Sequence, residues 1–180
     1  RLTSNADIVA EMFGLTAPVA VESRPEFFPT NAVSALRVSE QTAEREISLF
    51  RWGLIPHWAR EEMNLFNARA ETLLEKPSFR DAFRSRRCLV PADGFFEWPL
   101  VEGKKRKTLI QRRDHRPFAF AGLWERWQSK TDGHVLESCT IITSEPNDFM
   151  RPIHNRMPVI LDRDLYERWL AREAEPRSLA

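Results

Sequence analysis

Arg87-Cys88-Leu89-Val90-Pro91-Ala92-Asp93-Gly94-Phe95-Phe96-Glu97-Trp98 opens the part of the chain in which hydrophobic periodicity turns toward two. Successive side chains of an extended strand face opposite sides, so short apolar runs bounded by Pro, Asp and Gly read as strands. The pattern predicts strands over residues 87–90, 95–98, 105–111, 117–123, 136–143 and 158–161, with Glu102-Gly103 at a hairpin turn. Upstream, strands are predicted over 32–38 and 46–52, and a long loop over 53–66 holds Pro56, His57 and Trp58. The chain begins with a predicted helix over 4–13, started by Ser4 and Asp7 as a capping-box-like pair and stopped by Gly14. A connector holding Pro18, Pro25 and Pro29 follows it. Helical segments are expected from Ala68 to a break at Pro77, then over 78–84, 147–151 and 164–172, the last with Leu165, Trp169 and Leu170 inward. Many short strands, few long helices and no strand–helix alternation predict an α+β fold. It would be a single domain over residues 1–180, a curled, barrel-like, mostly antiparallel sheet with short flanking helices.

At 180 residues, 42% hydrophobic and 29% charged, the chain has the composition of a folded globular protein that can bury a substantial core. A net charge of +1 argues neither for nor against nucleic acid, so a local basic surface must carry that question. Cys88 and Cys139 both lie in apolar runs, with a spacing that fits neither a metal pair nor a disulfide framework, and read as reduced, buried strand cysteines. No run has the apolar length of a membrane helix and no signal peptide opens the chain, so the cytoplasm is the expected location. A Gly-rich phosphate loop, paired CxxC, HExxH and GxSxG are all absent, which leaves nucleotide hydrolysis, zinc chemistry and serine hydrolysis without support. No metal or cofactor is expected.

Three blocks carry candidate chemistry. Glu97 stands among Phe95, Phe96 and Trp98; a carboxylate held among aromatics loses solvation and is suited to acid–base work, but the same pattern fits a surface glutamate on a half-exposed strand. His154 sits at an irregular junction near Arg151 and Arg156, where it can shuttle protons or simply hold the loop by hydrogen bonding. Asn67 and Arg69 are read as opening a helix, Asn67 as an N-cap and Arg69 as part of a phosphate-binding corner. Trp52 and Trp58 flank the preceding loop; one of the two is expected to be exposed and to offer a base a stacking surface. His57, His115 and His134 are read as loop or turn residues. Lys104-Lys105-Arg106-Lys107 is read as a solubilising hairpin tip that keeps an edge strand from pairing.

Several of these segments, in this order, resemble the SRAP family, the SOS-response-associated peptidase-like proteins that process abasic sites in single-stranded DNA. The resemblance is carried by Arg51-Trp52-Gly53-Leu54-Ile55-Pro56, Asn67-Ala68-Arg69-Ala70-Glu71-Thr72, the 87–98 segment, Phe120-Ala121-Gly122-Leu123-Trp124 and Ile153-His154-Asn155-Arg156-Met157-Pro158-Val159. It implies that the mature N-terminus is a cysteine from a Met-Cys-Gly-Arg start, whose amine forms a Schiff base with the abasic aldehyde and whose thiolate closes a thiazolidine. The resemblance further implies Glu97, His154 and Asn67 as catalytic residues. Arg69, Arg156, Trp58, Trp52 and Arg1 would then lie against single-stranded DNA, and the protein would be a cytoplasmic monomer, associated with the nucleoid if bacterial. The sequence begins Arg1-Leu2-Thr3, and its Cys-Gly and part of the C-terminal end are expected to lie outside the residues given, so that this chain alone would bind DNA without crosslinking. Two other readings stay open: a cysteine-dependent peptidase acting on itself or a partner, and a non-covalent single-strand-binding module.

Overall fold

The computed structural model describes residues 1–16 and 19–171. Helix α1 (Ala6–Phe13) is followed by β1 (Ala32–Val38), β2 (Arg45–Trp52), β3 (Asn67–Arg69), helix α2 (Pro77–Ser85) and β4 (Arg87–Ala92). Next come β5 (Phe95–Glu97), β6 (Leu100–Val101), β7 (Lys104–Lys105), β8 (Thr108–Ile110) and the two longest strands, β9 (Phe118–Gln128) and β10 (Val135–Ser144). The short strands β11 (Met157–Pro158) and β12 (Ile160–Leu161) and helix α3 (Tyr166–Leu170) end the described chain.

Five strands close on themselves. β1 pairs with β2 and β4, β4 with β9, β9 with β10, and β10 returns to β2, making a closed mixed barrel in one domain. All of these pairings are antiparallel except β10 with β2, whose register sets Ser138 against Arg51 and Cys139 against Trp52. Closure removes the sheet edges that would otherwise be free to pair with other chains.

The wall has a core on each side, and period two sorts the residues between them. Cys88, Val90 and Ala92 of β4 pack with Val33, Ala35, Phe50, Phe118, Phe120, Trp124 and Cys139 on the inner face. Leu89 faces the other way, with Leu36, Ala119, Ala121 and Leu123, onto Val9, Phe13, Phe79, Phe83, Trp169 and Leu170 of the three helices. This is why β4 is buried at all six positions and reads as a continuous apolar run rather than an alternating one. Both cysteines are free and buried in the inner core, and burial pushes the Cys139 thiol up to about 12 and Cys88 well above its usual value.

Gly122 is required by closeness rather than by turn geometry. A Cβ there would lie 2.9 Å from Cys88 Sγ and 3.0 Å from the Thr140 carbonyl oxygen. Neither neighbour can move without shifting a barrel strand, so Gly122→Ala is expected to cost about 1–3 kcal/mol, read as a lower denaturation midpoint at unchanged slope.

Most predicted strands stand with shifted ends, and 158–161 divides at Val159 into β11 and β12. The Glu102-Gly103 turn is present, both residues at positive φ (50° and 74°) between β6 and β7, as a two-residue hairpin turn needs. Four local expectations are corrected. Asn5, not Ser4, caps α1, its Oδ1 accepting from the Ile8 amide at 3.0 Å, because Ser4 is engaged by Asp93. The segment from Ala68 is not a helix start: Asn67–Arg69 is strand, drawn out by pairing with β10, and only one 3-10 turn (Ala70–Thr72) precedes α2, which has Pro77 in its first turn, where a missing amide costs nothing. Residues 147–151 form turns closed by Asn147, whose Oδ1 accepts from the Met150 amide at 2.9 Å. Leu165 is 39% exposed, and Tyr166 takes its inward place in α3. Pro18 and Arg172 lie outside the described residues.

Candidate active site

The mouth of the barrel opens into a cavity of about 320 Å³ with an apolar floor and a polar rim. Val33, Val90, Phe120 and Ile141 of the inner core make the floor. Asn67, Glu97, His154, Arg156, Thr143 and Arg1 stand on the rim, with Phe27, Phe28, Trp52, Phe96 and Trp98 as aromatic walls.

Asn67 reaches the rim through an interrupted strand. β2 leaves β10 at Trp52, and β3 resumes pairing along the same side of β10, with Ile141 opposite Asn67 and Thr143 opposite Arg69. The intervening loop is an excursion whose ends are stitched by the Gly53 amide donating to the Cys139 carbonyl at 2.8 Å and the Ile141 amide to Phe66 at 3.2 Å. Gly53 sits at φ 134°, a conformation other residues rarely adopt, where the chain turns out of the sheet. Arg69 is exposed and makes no ion pair among the described residues.

Glu97 ends β5, which pairs with β8 beside the barrel mouth (Glu97 opposite Thr108). It is half-buried, and that burial raises its carboxyl above the usual carboxylate range, with the nearby His154 acting the other way. Among the described residues no hydrogen bond or ion pair occupies this carboxylate.

His154 is carried by the Asn147–Ile153 turns, which the buried Met150 anchors; the His154 amide donates to the Met150 carbonyl at 2.9 Å. Its Nδ1 lies 3.0 Å from both the amide nitrogen and the carbonyl oxygen of Arg156. A neutral ring accepts from the amide and an imidazolium donates to the carbonyl, so the same backbone holds the ring in either protonation state. Among the described residues Nε2 has no hydrogen-bond partner, which suits a proton shuttle.

Arg156 is already engaged. Its guanidinium meets Glu71 through two bonds of 2.8 and 2.9 Å and donates to the Thr143 carbonyl at 2.6 Å; Nε is buried without a hydrogen-bond partner among the described residues. The paired guanidinium holds the Glu71 carboxyl below its usual range. This bracket ties the His154 loop to the turn that follows β3.

The structure therefore brings Asn67, Glu97, His154, Arg156, Trp52 and Arg1 to one cavity and places Arg69 two residues beyond Asn67 along β3. Trp58 is 46% exposed but lies on the excursion loop and does not line the cavity; Trp52 lines it with its indole nitrogen donating to Phe66 at 2.9 Å. Sequence reasoning missed Phe27, Phe28 and Trp98 as walls and Glu71 as the partner of Arg156. A signal existed only for Glu71, an acid inside the Asn67–Thr72 block. The basic run at Lys104–Lys107 is tied down in part: Lys107 bonds Glu26 at 2.5 Å and stands over the Phe96 ring at 4.4 Å.

A closed five-strand barrel thus gathers an acid, an imidazole and an amide at the edge of one cavity, beside the N-terminal segment. The chain belongs to the SOS response associated peptidase (SRAP) family, whose sequence pattern it matches over residues 1–180. It is 43% identical to the abasic site processing protein YoaM of Bacillus subtilis over 83% of this chain and 67% of that one, and 40% identical to YoqW of the same organism over 94% and 77%. The abasic site processing protein HMCES of Xenopus tropicalis is 32% identical over 72% of this chain, which spans 46% of that longer protein. Crystal structures of proteins from Bacteroides thetaiotaomicron (TM-score 0.85, 31% identity, 97% of this chain and 81% of that one) and Bordetella bronchiseptica (TM-score 0.84, 29% identity, 98% and 90%) share the fold. No helix among the described residues is long and apolar enough to cross a membrane.

Proposed function

We propose that this protein processes abasic sites in single-stranded DNA by covalent capture of the ring-opened sugar. The observation that carries the reading is the meeting of Asn67, Glu97 and His154, from three separate parts of the chain, at the cavity edge where the chain enters through Arg1. The relatives named as abasic site processing proteins support the substrate class.

The reactive group is the α-amine and thiol of a cysteine placed, with one glycine, ahead of Arg1. The Arg1 nitrogen donates to the Gly94 carbonyl at 3.0 Å, so residues ahead of it start from the cavity edge. Glu97 takes the hydroxyl proton at C1′ as the C1′–O4′ bond breaks, and a proton is returned to O4′, so the sugar opens to the aldehyde with no net gain or loss of protons. The amine adds to that carbon, water leaves, and an imine forms, with His154 moving protons to the departing oxygen. The thiol sulfur then bonds to the imine carbon and its proton passes to nitrogen, closing a thiazolidine; one water is released overall. Asn67 orients the sugar, and the exposed Arg69 meets a phosphate of the same strand. The apolar floor and aromatic walls accept the sugar and its unstacked neighbours.

The test is a chain carrying Cys-Gly ahead of Arg1, incubated with a single-stranded oligonucleotide containing one abasic site. A denaturation-stable adduct is expected, absent with Ala-Gly in place of Cys-Gly and absent on undamaged DNA. No adduct, or one that forms equally with Ala-Gly, sinks the mechanism and leaves a non-covalent binding module.

A further inference from the structure

Asp93 does something the reaction above does not use. Its carboxylate gathers the N-terminal segment: Thr3 donates through both its amide and its hydroxyl (2.7 Å), and Ser4 through its amide (2.9 Å) and its hydroxyl (2.6 Å). Around it the backbones pair, the Asp93 amide donating to the Arg1 carbonyl at 2.9 Å and the Arg1 nitrogen to Gly94 at 3.0 Å. No ion pair among the described residues competes for this half-buried carboxylate. The next strand along, β5 (Phe95–Glu97), carries Glu97, so one short stretch of chain holds both the N-terminal segment and the proposed acid–base residue.

We infer that Asp93 is a positioning residue: by clamping Thr3 and Ser4 it fixes how far the residues ahead of Arg1 extend over the cavity, and so sets the spacer length at which a terminal amine meets the opened sugar. The inference rests on the capture reaction proposed above. Each residue ahead of Arg1 reaches at most about 3.5 Å, so Cys-Gly spans about 7 Å from a fixed origin. With the origin clamped, one added glycine misplaces the amine by a residue's length, far more than the 1 Å error that costs about 100-fold in a positioned reaction. With the clamp gone the origin is held only by the backbone bonds at Arg1 and Leu2, and the penalty for an added glycine falls.

The experiment compares Cys-Gly and Cys-Gly-Gly ahead of Arg1, each with Asp93, Asp93→Asn or Asp93→Ala. Adduct rate on abasic single-stranded DNA, affinity for the undamaged oligonucleotide and the rate of the terminal cysteine with glycolaldehyde are measured for all six chains. With Asp93 intact, the extra glycine is expected to slow capture on the order of 10-fold or more. Asp93→Ala slows the Cys-Gly chain by a similar factor and narrows the gap between the two spacers, while DNA affinity and the glycolaldehyde rate stay within about twofold. Asp93→Asn, which keeps the shape and an acceptor oxygen, falls between and guards against misfolding of the alanine variant. Capture by Asp93→Ala at the Asp93 rate, or a spacer penalty as large in Asp93→Ala as with Asp93, overturns the inference. If the Asp93 chains form no adduct at all, the capture reaction fails instead, and the clamp is still decided by amide exchange at Thr3 and Ser4, protected with Asp93 and fast in Asp93→Ala if it holds.

Discussion

Glu97→Gln is expected to slow adduct formation by the Cys-Gly chain at least about 100-fold while leaving its affinity for single-stranded DNA within about twofold. Glutamine keeps the size and polarity of the side chain and removes only its ability to take a proton. The size of the effect follows from the environment: Glu97 is half-buried at the cavity edge, its carboxyl raised by lost solvation, and among the described residues no hydrogen bond or ion pair occupies it. The pH profile gives a second readout. A raised pKa means that the basic form is lost earlier as pH falls. Below that pKa the logarithm of the rate drops with a slope near two, one proton on Glu97 and one on the amine, whereas the glutamine variant keeps a slope near one. Stability moves the other way: burying the charged form is unfavourable, so the variant melts at the same temperature or higher. Equal losses of binding and capture would reassign Glu97 to a structural role.

Arg87→Met is expected to lower stability by about 3 kcal/mol or more, a fall of about 1.5 M in a urea midpoint at a slope near 2 kcal/mol/M. Arg87 is 4% exposed, and its charge is met by backbone carbonyls instead of a carboxylate. It donates to Trp169 at 2.6 Å, Phe83 at 2.7 Å, Arg84 at 3.2 Å and also to Ala171, closing the C-terminal ends of α2 and α3 together at the first residue of β4. Burial without a carboxylate partner lowers its guanidinium below the usual value, but it stays far above neutral pH and remains charged. Methionine matches the stem and none of the donors, leaving helix-end carbonyls dry and unpaired at roughly 1–3 kcal/mol for each that water cannot reach. Arg87→Lys keeps the charge but not the fork, and is expected to recover part of the loss. Neither change touches the cavity, so capture measured well below the unfolding transition is expected to persist.

How legible the protein was in its sequence depends on the range of the interaction involved. Period two and turn chemistry are local, so the strand-rich core, the Glu102-Gly103 turn and the burial of Cys88 and Cys139 could be read directly. Candidate site blocks could also be read, because Asn67, Glu97 and His154 stand in unusual local company. What could not be read was anything set by a partner far along the chain. Asn67 looks like an N-cap because asparagine before a mixed segment usually is one; only the free side of β10, vacated where β2 turns out at Gly53, makes it strand. Ser4 looks like a cap until Asp93, 89 residues away, claims both its amide and its hydroxyl, and Asn5 takes the cap instead. Arg156 reads as a phosphate ligand until Glu71, 85 residues away, fills its fork.

The sequence by itself determined the strand alternation, the turns and the residue types capable of acid–base chemistry, since each follows from a residue and its near neighbours. Tertiary structure alone decided that β10 runs parallel to β2 and closes the barrel, that three distant blocks share one cavity, and that Asp93 holds the chain's entry beside Glu97. Pairing, closure and shared desolvation are properties of surfaces brought together, and no local window of the chain contains both surfaces.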